Sequence, residues 1–277
     1  MTTIEMKKLS SNNIVSPKGF TAAGVHCGIK KEKKDLAILV SEVPASVAGV
    51  FTTNAVQAAP LKVTKEVVYN SQKMQAIIVN SGNANACTGK QGVADAYEMQ
   101  ALAATKLGIE PYLVGVASTG VIGEIMNMEP VVKGVEMLNP NNDLESGMNF
   151  AQAILTTDTV MKNTTYATVI DGKEVLVSGT AKGSGMIEPN MATMLGFITT
   201  DANIESDELQ KALSEITNLT FNAITVDGDT STNDTVVVLA NGLAGNEPLT
   251  PAHPEWNNFY TALRLVAEDL AKAIARD

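Results

Sequence analysis

The sequence predicts a mixed α/β fold of the α+β kind, and three observations carry that reading. Short apolar, β-branched runs recur along the chain between clusters of Gly, Pro, Asn and Asp. Helical periodicity is confined to a few segments. The two signals mix without the strict strand–helix alternation of a doubly wound sheet. With 277 residues, 45% of them hydrophobic, the chain can bury a sizeable core as one large or two small domains.

Strands are expected at Leu36–Val40, Val47–Phe51, Gln75–Val79, Leu113–Ala117, Tyr166–Ile170, Glu174–Val177, Met194–Thr199, Ala223–Val226 and Val236–Ala240. Asp171-Gly172 separates two of them as a tight hairpin turn. Gly92–Leu107 reads as a helix closed by Gly108 in the left-handed conformation. Asp207–Leu219 reads as a second helix, with Ser206 as its N-cap and acids in its first turn. Glu255–Ala275 forms a long amphipathic helix with Phe259, Leu263, Val266, Leu270 and Ile274 on one face. It stops at Asp277 without a cap or turn signal, which is expected of a chain cut short of its natural end.

Thirty acidic residues against 20 basic ones give a net charge of −10, which argues against nucleic acid as a partner. No apolar run approaches the ~20 residues of a membrane span, and the N-terminus lacks a signal-peptide core, so a soluble cytoplasmic protein is expected. Cys27 and Cys87 lie too far apart in sequence for a metal-ligand pair and are expected to be buried free thiols. The only histidines, His26 and His253, are assigned structural roles.

The segment Lys182–Asp201, KGSGMIEPNMATMLGFITTD, sets Thr193 between a glycine-rich loop and an apolar run. A threonine hydroxyl needs a base, and one economical base is the threonine's own α-amine, freed when the Ala192–Thr193 bond breaks. Such an amine titrates near ~8, so it can act at neutral pH without a histidine. On propensity alone, Thr193 reads equally as the first residue of a buried strand. Asp227, Asp229 and Asp234 invite a calcium reading. It fails because the sixth and twelfth loop positions hold Thr232 and Val238. DGDTSTNDT is therefore read as a hydrogen-bonding loop without metal. Gly179, Gly183 and Gly185 do not match a dinucleotide fingerprint.

The ATML segment, together with NSGNANACTG (Asn80–Gly89), STGVIG (Ser118–Gly123), TTDT (Thr156–Thr159), DGDTSTNDT (Asp227–Thr235) and the SPKGFTAAGVHCGIK run, closely resembles the ornithine acetyltransferase family, also called bifunctional glutamate N-acetyltransferase. The blocks occur in family order and span nearly the whole chain. The resemblance implies an αββα sandwich of the DmpA/ArgJ-like type and self-cleavage between Ala192 and Thr193 into α (1–192) and β (193–277) segments. It also implies ping-pong acetyl transfer from N2-acetylornithine to glutamate through acetyl-Thr193, with acetyl-CoA left open as a second donor and no cofactor. By the same motifs Thr119 and Gly120 form the oxyanion hole, and Thr156, Lys182 and Thr193 bind substrate. Without the motif, STG is an ordinary turn, TTDT a helix end and Lys182 a solvated lysine. A heterotetramer of two α and two β chains is expected. Family members continue past Asp277 with a further domain bearing a substrate-contacting glutamate, so weak or no activity is expected of these 277 residues. The alternatives are an inactive or partner-dependent fragment and a related N-terminal-nucleophile aminopeptidase or amidase.

Overall fold

A computed structural model describes residues 6–184, 194–224 and 231–277. Nine strands are formed: β1 (Met6–Lys8), β2 (Phe20–Val25), β3 (Leu36–Phe51), β4 (Lys73–Asn83), β5 (Val114–Val121), β6 (Lys162–Ile170), β7 (Lys173–Lys182), β8 (Leu195–Thr200) and β9 (Thr235–Ala240). They pair in the order β1-β6-β7-β8-β9-β3-β4-β5, with β2 also on β3. The ladder is continuous, and β3 carries it from one layer of the sandwich to the other, each layer being one sheet of the fold. Its first half pairs with β2 and β4, and its second half pairs with β9. Its register against β4 shifts between Val40 and Ala45, where Pro44 lacks an N–H to give a ladder. The two strands expected at Leu36–Val40 and Val47–Phe51 are thus one continuous strand.

Side-chain alternation assigns the layers. Leu195, Phe197, Val237 and Leu239 point inward from one sheet toward Ala37, Leu39, Ile77 and Val79 of the other. Phe150 and Phe197 meet edge-on in this layer, ring centroids 5.4 Å apart. From the opposite faces, Ile198, Val236 and Val238 pack on helices α5 (Ser206–Leu219) and α6 (Trp256–Arg276). Leu36, Ile38, Ala76 and Ile78 pack on α2 (Gly89–Leu107) and α3 (Met128–Met137). Three buried layers between two sheets and flanking helices make an αββα sandwich. Helices α1 (Ala59–Glu66) and α4 (Leu144–Ala153) add Leu61, Phe150 and Ala153 to the layer between the sheets.

The β6–β7 hairpin turns through Asp171 and Gly172, at φ 52° and 71°, and Gly108 closes α2 at φ 67°, both as expected. All five residues expected on the inner face of α6 are buried. Other expectations need correction. Ser206 does not cap α5: its hydroxyl donates to the Gln72 carbonyl and accepts the Val47 N–H, tying the helix to β3. The strand expected at Ala223–Val226 begins instead in a 3-10 turn, Phe221–Ala223, and Thr225 and Val226 lie outside the described residues. Both thiols are free, but Cys87 is exposed on a positive-φ loop and Cys27 is half-buried. Burial and the neighbouring Asp35 push the Cys27 thiol up to about 12.

Candidate active site

Thr119 and Gly120 do not form a turn; they lie in the last part of β5, alongside β4. Ser81 pairs with Thr119 and Gly82 with Gly120, and the register then shifts at Asn83. Gly120 has φ +136°, and a Cβ there would strike the backbone of Gly82 and Asn83. Glycine is required for the approach. The NSGNANACTG run folds on its own side chains beside it. Asn80 Nδ2 donates to the Asn83 carbonyl at 2.9 Å, Asn83 Oδ1 accepts the Asn85 N–H at 2.7 Å, and Thr88 Oγ1 donates to Asn85 Oδ1 at 2.7 Å.

Lys182 ends β7 with 2% of its surface exposed and points its Nζ at Thr119 Oγ1, 3.3 Å away. An ammonium can only donate, so Thr119 accepts here and keeps its own O–H to give elsewhere. Burial pushes the Lys182 ammonium below the usual lysine range, while Asp158 and Asp234 pull it back. Asp158 is the organiser of this corner. Its Oδ1 accepts from Lys162 Nζ at 2.8 Å and from the Gly183 N–H at 2.6 Å, and its Oδ2 accepts the Thr156 N–H at 3.1 Å. Burial opposes its ionisation, but the charges of Lys182 and Lys162 and the Gly183 N–H hold its carboxyl below the usual carboxylate range. The Thr156 loop, which comes after α4, is thereby fastened to the end of β7.

Ala192 and Thr193 lie outside the described residues, as do Asp227 and Asp229. The chain immediately after Thr193 is held from several directions. Met194 donates its N–H to Asp234 Oδ1 at 2.9 Å, and Leu195 pairs with Lys182 on one side and Thr235 on the other. Asn233 Nδ2 bridges the Ala84 and Ser118 carbonyls at 2.7 and 2.8 Å, locking the end of the DGDTSTNDT loop onto β5. The described part of that loop thus works through hydrogen bonds. Asp158, Asn233 and Asp234 shape the site, yet no sequence signal separates a buried acid of this kind from a solvated one.

The histidines stand outside this corner. His26 Nδ1 meets Asp35 at 3.0 Å. His253 Nε2 faces Asp171 Oδ1 at 3.3 Å, while Glu255 accepts the Asp171 N–H at 2.6 Å. The ligand atoms of Asp171, His253 and Glu255 all lie within 4.8 Å of one another. This cluster sits at the hairpin end of β7, and the strand's ten residues put roughly 30 Å between it and Lys182. Among the described residues, no helix is long and apolar enough to cross a membrane.

The αββα sandwich is a fold class that solved structures of other proteins share. An L-aminopeptidase D-Ala-esterase/amidase from Ochrobactrum anthropi, described as a variant of the Ntn-hydrolase fold, superposes with a TM-score of 0.57 over 97% of this chain and 86% of its own. At 9% identity this shows the fold alone. The ArgJ family model matches residues 21–277, and the chain belongs to the ArgJ family. Arginine biosynthesis bifunctional protein ArgJ of Halalkalibacterium halodurans is 59% identical over 99% of this chain and 67% of its own length; that of Geobacillus kaustophilus is 58% identical over the same shares. The chain therefore spans about two thirds of the length of these relatives. The crystal structure of argJ from Bacillus halodurans matches at 52% identity and TM-score 0.66, covering 69% of this chain and all of its own. Ornithine acetyltransferase of Mycobacterium tuberculosis, solved with ornithine, matches at 35% identity and TM-score 0.61, covering 67% of this chain and 98% of its own.

Proposed function

We propose that this chain carries the acetyl-transfer site of an ornithine acetyltransferase, moving acetyl from N2-acetylornithine to glutamate through an ester on Thr193. The observation that carries the reading is the convergence of Thr119, Gly120 and Lys182 with the start of β8. Leu195 pairs with Lys182 on one side and Thr235 on the other, and the buried Lys182 Nζ lies 3.3 Å from Thr119 Oγ1. In this reading the Thr193 hydroxyl attacks the acetyl carbonyl and its own α-amine takes the proton, then passes it to the departing ornithine nitrogen as the amide C–N bond breaks; in the second half-reaction the amine of glutamate attacks the ester and Thr193 regains its hydroxyl. The Thr119 hydroxyl and the Gly120 N–H hold the developing oxyanion. Thr156 and Lys182 hold the substrate, fastened to each other through Asp158.

Cleavage before Thr193 is part of the proposal, with products 1–192 and 193–277 assembling as two α and two β chains in the cytoplasm. The chain of the B. halodurans structure supports it: that chain is matched in full by 69% of this one, and 192 of 277 residues is the same share. No cofactor is assigned, and acetyl-CoA is a donor to be tested. The further length of the relatives bears on how active these residues are alone.

The test is intact-mass analysis with labelled N2-acetylornithine. Thr193→Ala should abolish both cleavage and acetylation, and Thr193→Ser should keep part of each. Normal splitting or acetylation of Thr193→Ala would remove Thr193 from the mechanism. Release of labelled acetate regardless of glutamate would favour an amidase instead.

A further inference from the structure

Asp35, fully buried just before β3, is a carboxylate that meets His26 Nδ1 and is otherwise spent on backbone. Its Oδ1 accepts the Cys27 N–H at 2.7 Å, and its Oδ2 accepts those of Gly28 and Lys30 at 3.1 and 2.9 Å. Burial opposes its ionisation, but these donors hold its carboxyl below the usual carboxylate range. Three N–H groups on one anion fix the loop 27–30, and with it the direction in which Lys30 leaves the backbone.

Lys30 runs from one wall of the site to the other. Its stem lies over Gly82, where an added Cβ would sit 2.9 Å from Lys30 Cγ, and Gly82 is the β4 partner of Gly120. Its Nζ donates to the Leu155 carbonyl at 2.9 Å, one residue before Thr156. Among the described residues its ammonium forms no ion pair: Asp35 is occupied by backbone N–H groups and His26 Nδ1, and Asp158 by Lys162, Gly183 and Thr156. Lys182 is close enough for the two positive charges to act on each other. Asp35 and Asp158 attract this half-buried cation only through space, and its ammonium, held between Gly82 and Leu155, keeps unused donors with no carboxylate in direct contact.

We infer that Lys30 binds the α-carboxylate of the amino-acid substrate, as a specificity residue beside Lys182; this rests on the acetyl-transfer reading. Both the acetylated donor and the acceptor are α-amino-acid derivatives, so the same contact serves both half-reactions. It selects substrates with a carboxylate next to the acetylated nitrogen over acetylated amines of the same length.

The experiment tracks acetyl-Thr193 formation by intact mass, with N2-acetylornithine and with its α-carboxamide, which keeps the shape and removes the charge. Lys30→Met should lower kcat/KM for the carboxylate substrate by roughly 30-fold or more, chiefly through KM, as expected for a lost charged contact. With the carboxamide the loss should be under about threefold, because there is no charge to lose. Lys30→Arg should recover part of the carboxylate rate. Equal losses on both substrates, or no loss on either, would overturn the role of Lys30 while leaving acetyl transfer intact. No acetyl-enzyme on either substrate, from the unmodified chain or from the chain extended to the full length of its relatives, would overturn the acetyl-transfer reading and this inference together.

Discussion

Asp234 holds the backbone N–H of Met194, the first peptide group after Thr193, at 2.9 Å. The side chain is fully buried, and burial pushes its carboxyl up to about 8, against the opposing pull of the Met194 N–H, Ser231 and Lys182. A folded-state pKa raised above the ordinary ~3.9 of an aspartic acid means that the folded state favours the protonated form. Its contribution is fully present below pH ~4, declines as pH rises toward about 8, and changes no further above that. Asp234→Asn keeps a carbonyl oxygen for Met194 and cannot ionise. Its melting temperature should gain on that of the unmodified protein between pH 5 and pH 8, and the gap should stay constant above. Parallel profiles in thermal unfolding monitored by circular dichroism would contradict the assigned pKa.

Gly120→Ala should be among the costlier single-methyl changes in the protein. The new Cβ meets backbone atoms of Gly82 and Asn83, which have no rotamer to escape into, and φ +136° is strained for alanine. A loss of more than ~2 kcal/mol is expected. Gly123→Ala, at φ +87° with nothing near its Cβ, should cost only the conformational part, about 1 kcal/mol. Urea unfolding midpoints compare the two, and equal costs would mean that the β4–β5 approach yields more readily than its geometry implies.

Lys162→Met should destabilise by ~3–5 kcal/mol, because it removes the buried ammonium that pairs with both Asp158 and Asp277, leaving Asp158 only the more distant charge of Lys182. Adding Asp158→Asn should restore part of that loss, since the buried charge is removed as well. Denaturant titration of the single and double variants measures the coupling. Strict additivity would show that the pair acts independently.

Phe197→Ala should cost ~3–5 kcal/mol, the ordinary range for truncating a fully buried aromatic. Its ring packs edge-on against Phe150 in the layer between the sheets, where neither sheet can close the gap without moving the other. A cost below ~1 kcal/mol in chemical denaturation would mean that the layer collapses around the hole.

Where local chemistry decides the backbone, the sequence was readable. Asp171-Gly172 could only be a tight turn, Gly108 only a left-handed cap, and the apolar stripe of α6 fits no other element. Where partners decide, it was not. Pro44 reads as a break, yet β3 passes through it, because the bulge there moves the strand from one sheet to the other. Helix α3 hides behind Pro130 and Gly134, and the glycine is there because Leu36 and Cys27 pack against it. Helix α4 carries Gly147 for a similar reason, against Asn13. Cys87 looked like a core thiol, but its loop needs positive φ and faces outward. The candidate site was legible only through motif blocks whose polar residues carry no periodicity. Asp35, Asp158 and Lys30 matter because of what surrounds them, and their surroundings come from distant strands and loops.

The position of β8 and β9 has a consequence for handling the protein. Both are interior strands, clamped between β7 on one flank and β3 on the other, and all of these neighbours lie before residue 192. A cut ahead of Thr193 would therefore yield two polypeptides that are complementary halves of one laminate. They should elute together in native buffers at one-to-one stoichiometry and part only in denaturant. Neither half could be expressed alone without leaving a row of open ladder groups along its missing neighbour, an invitation to aggregate.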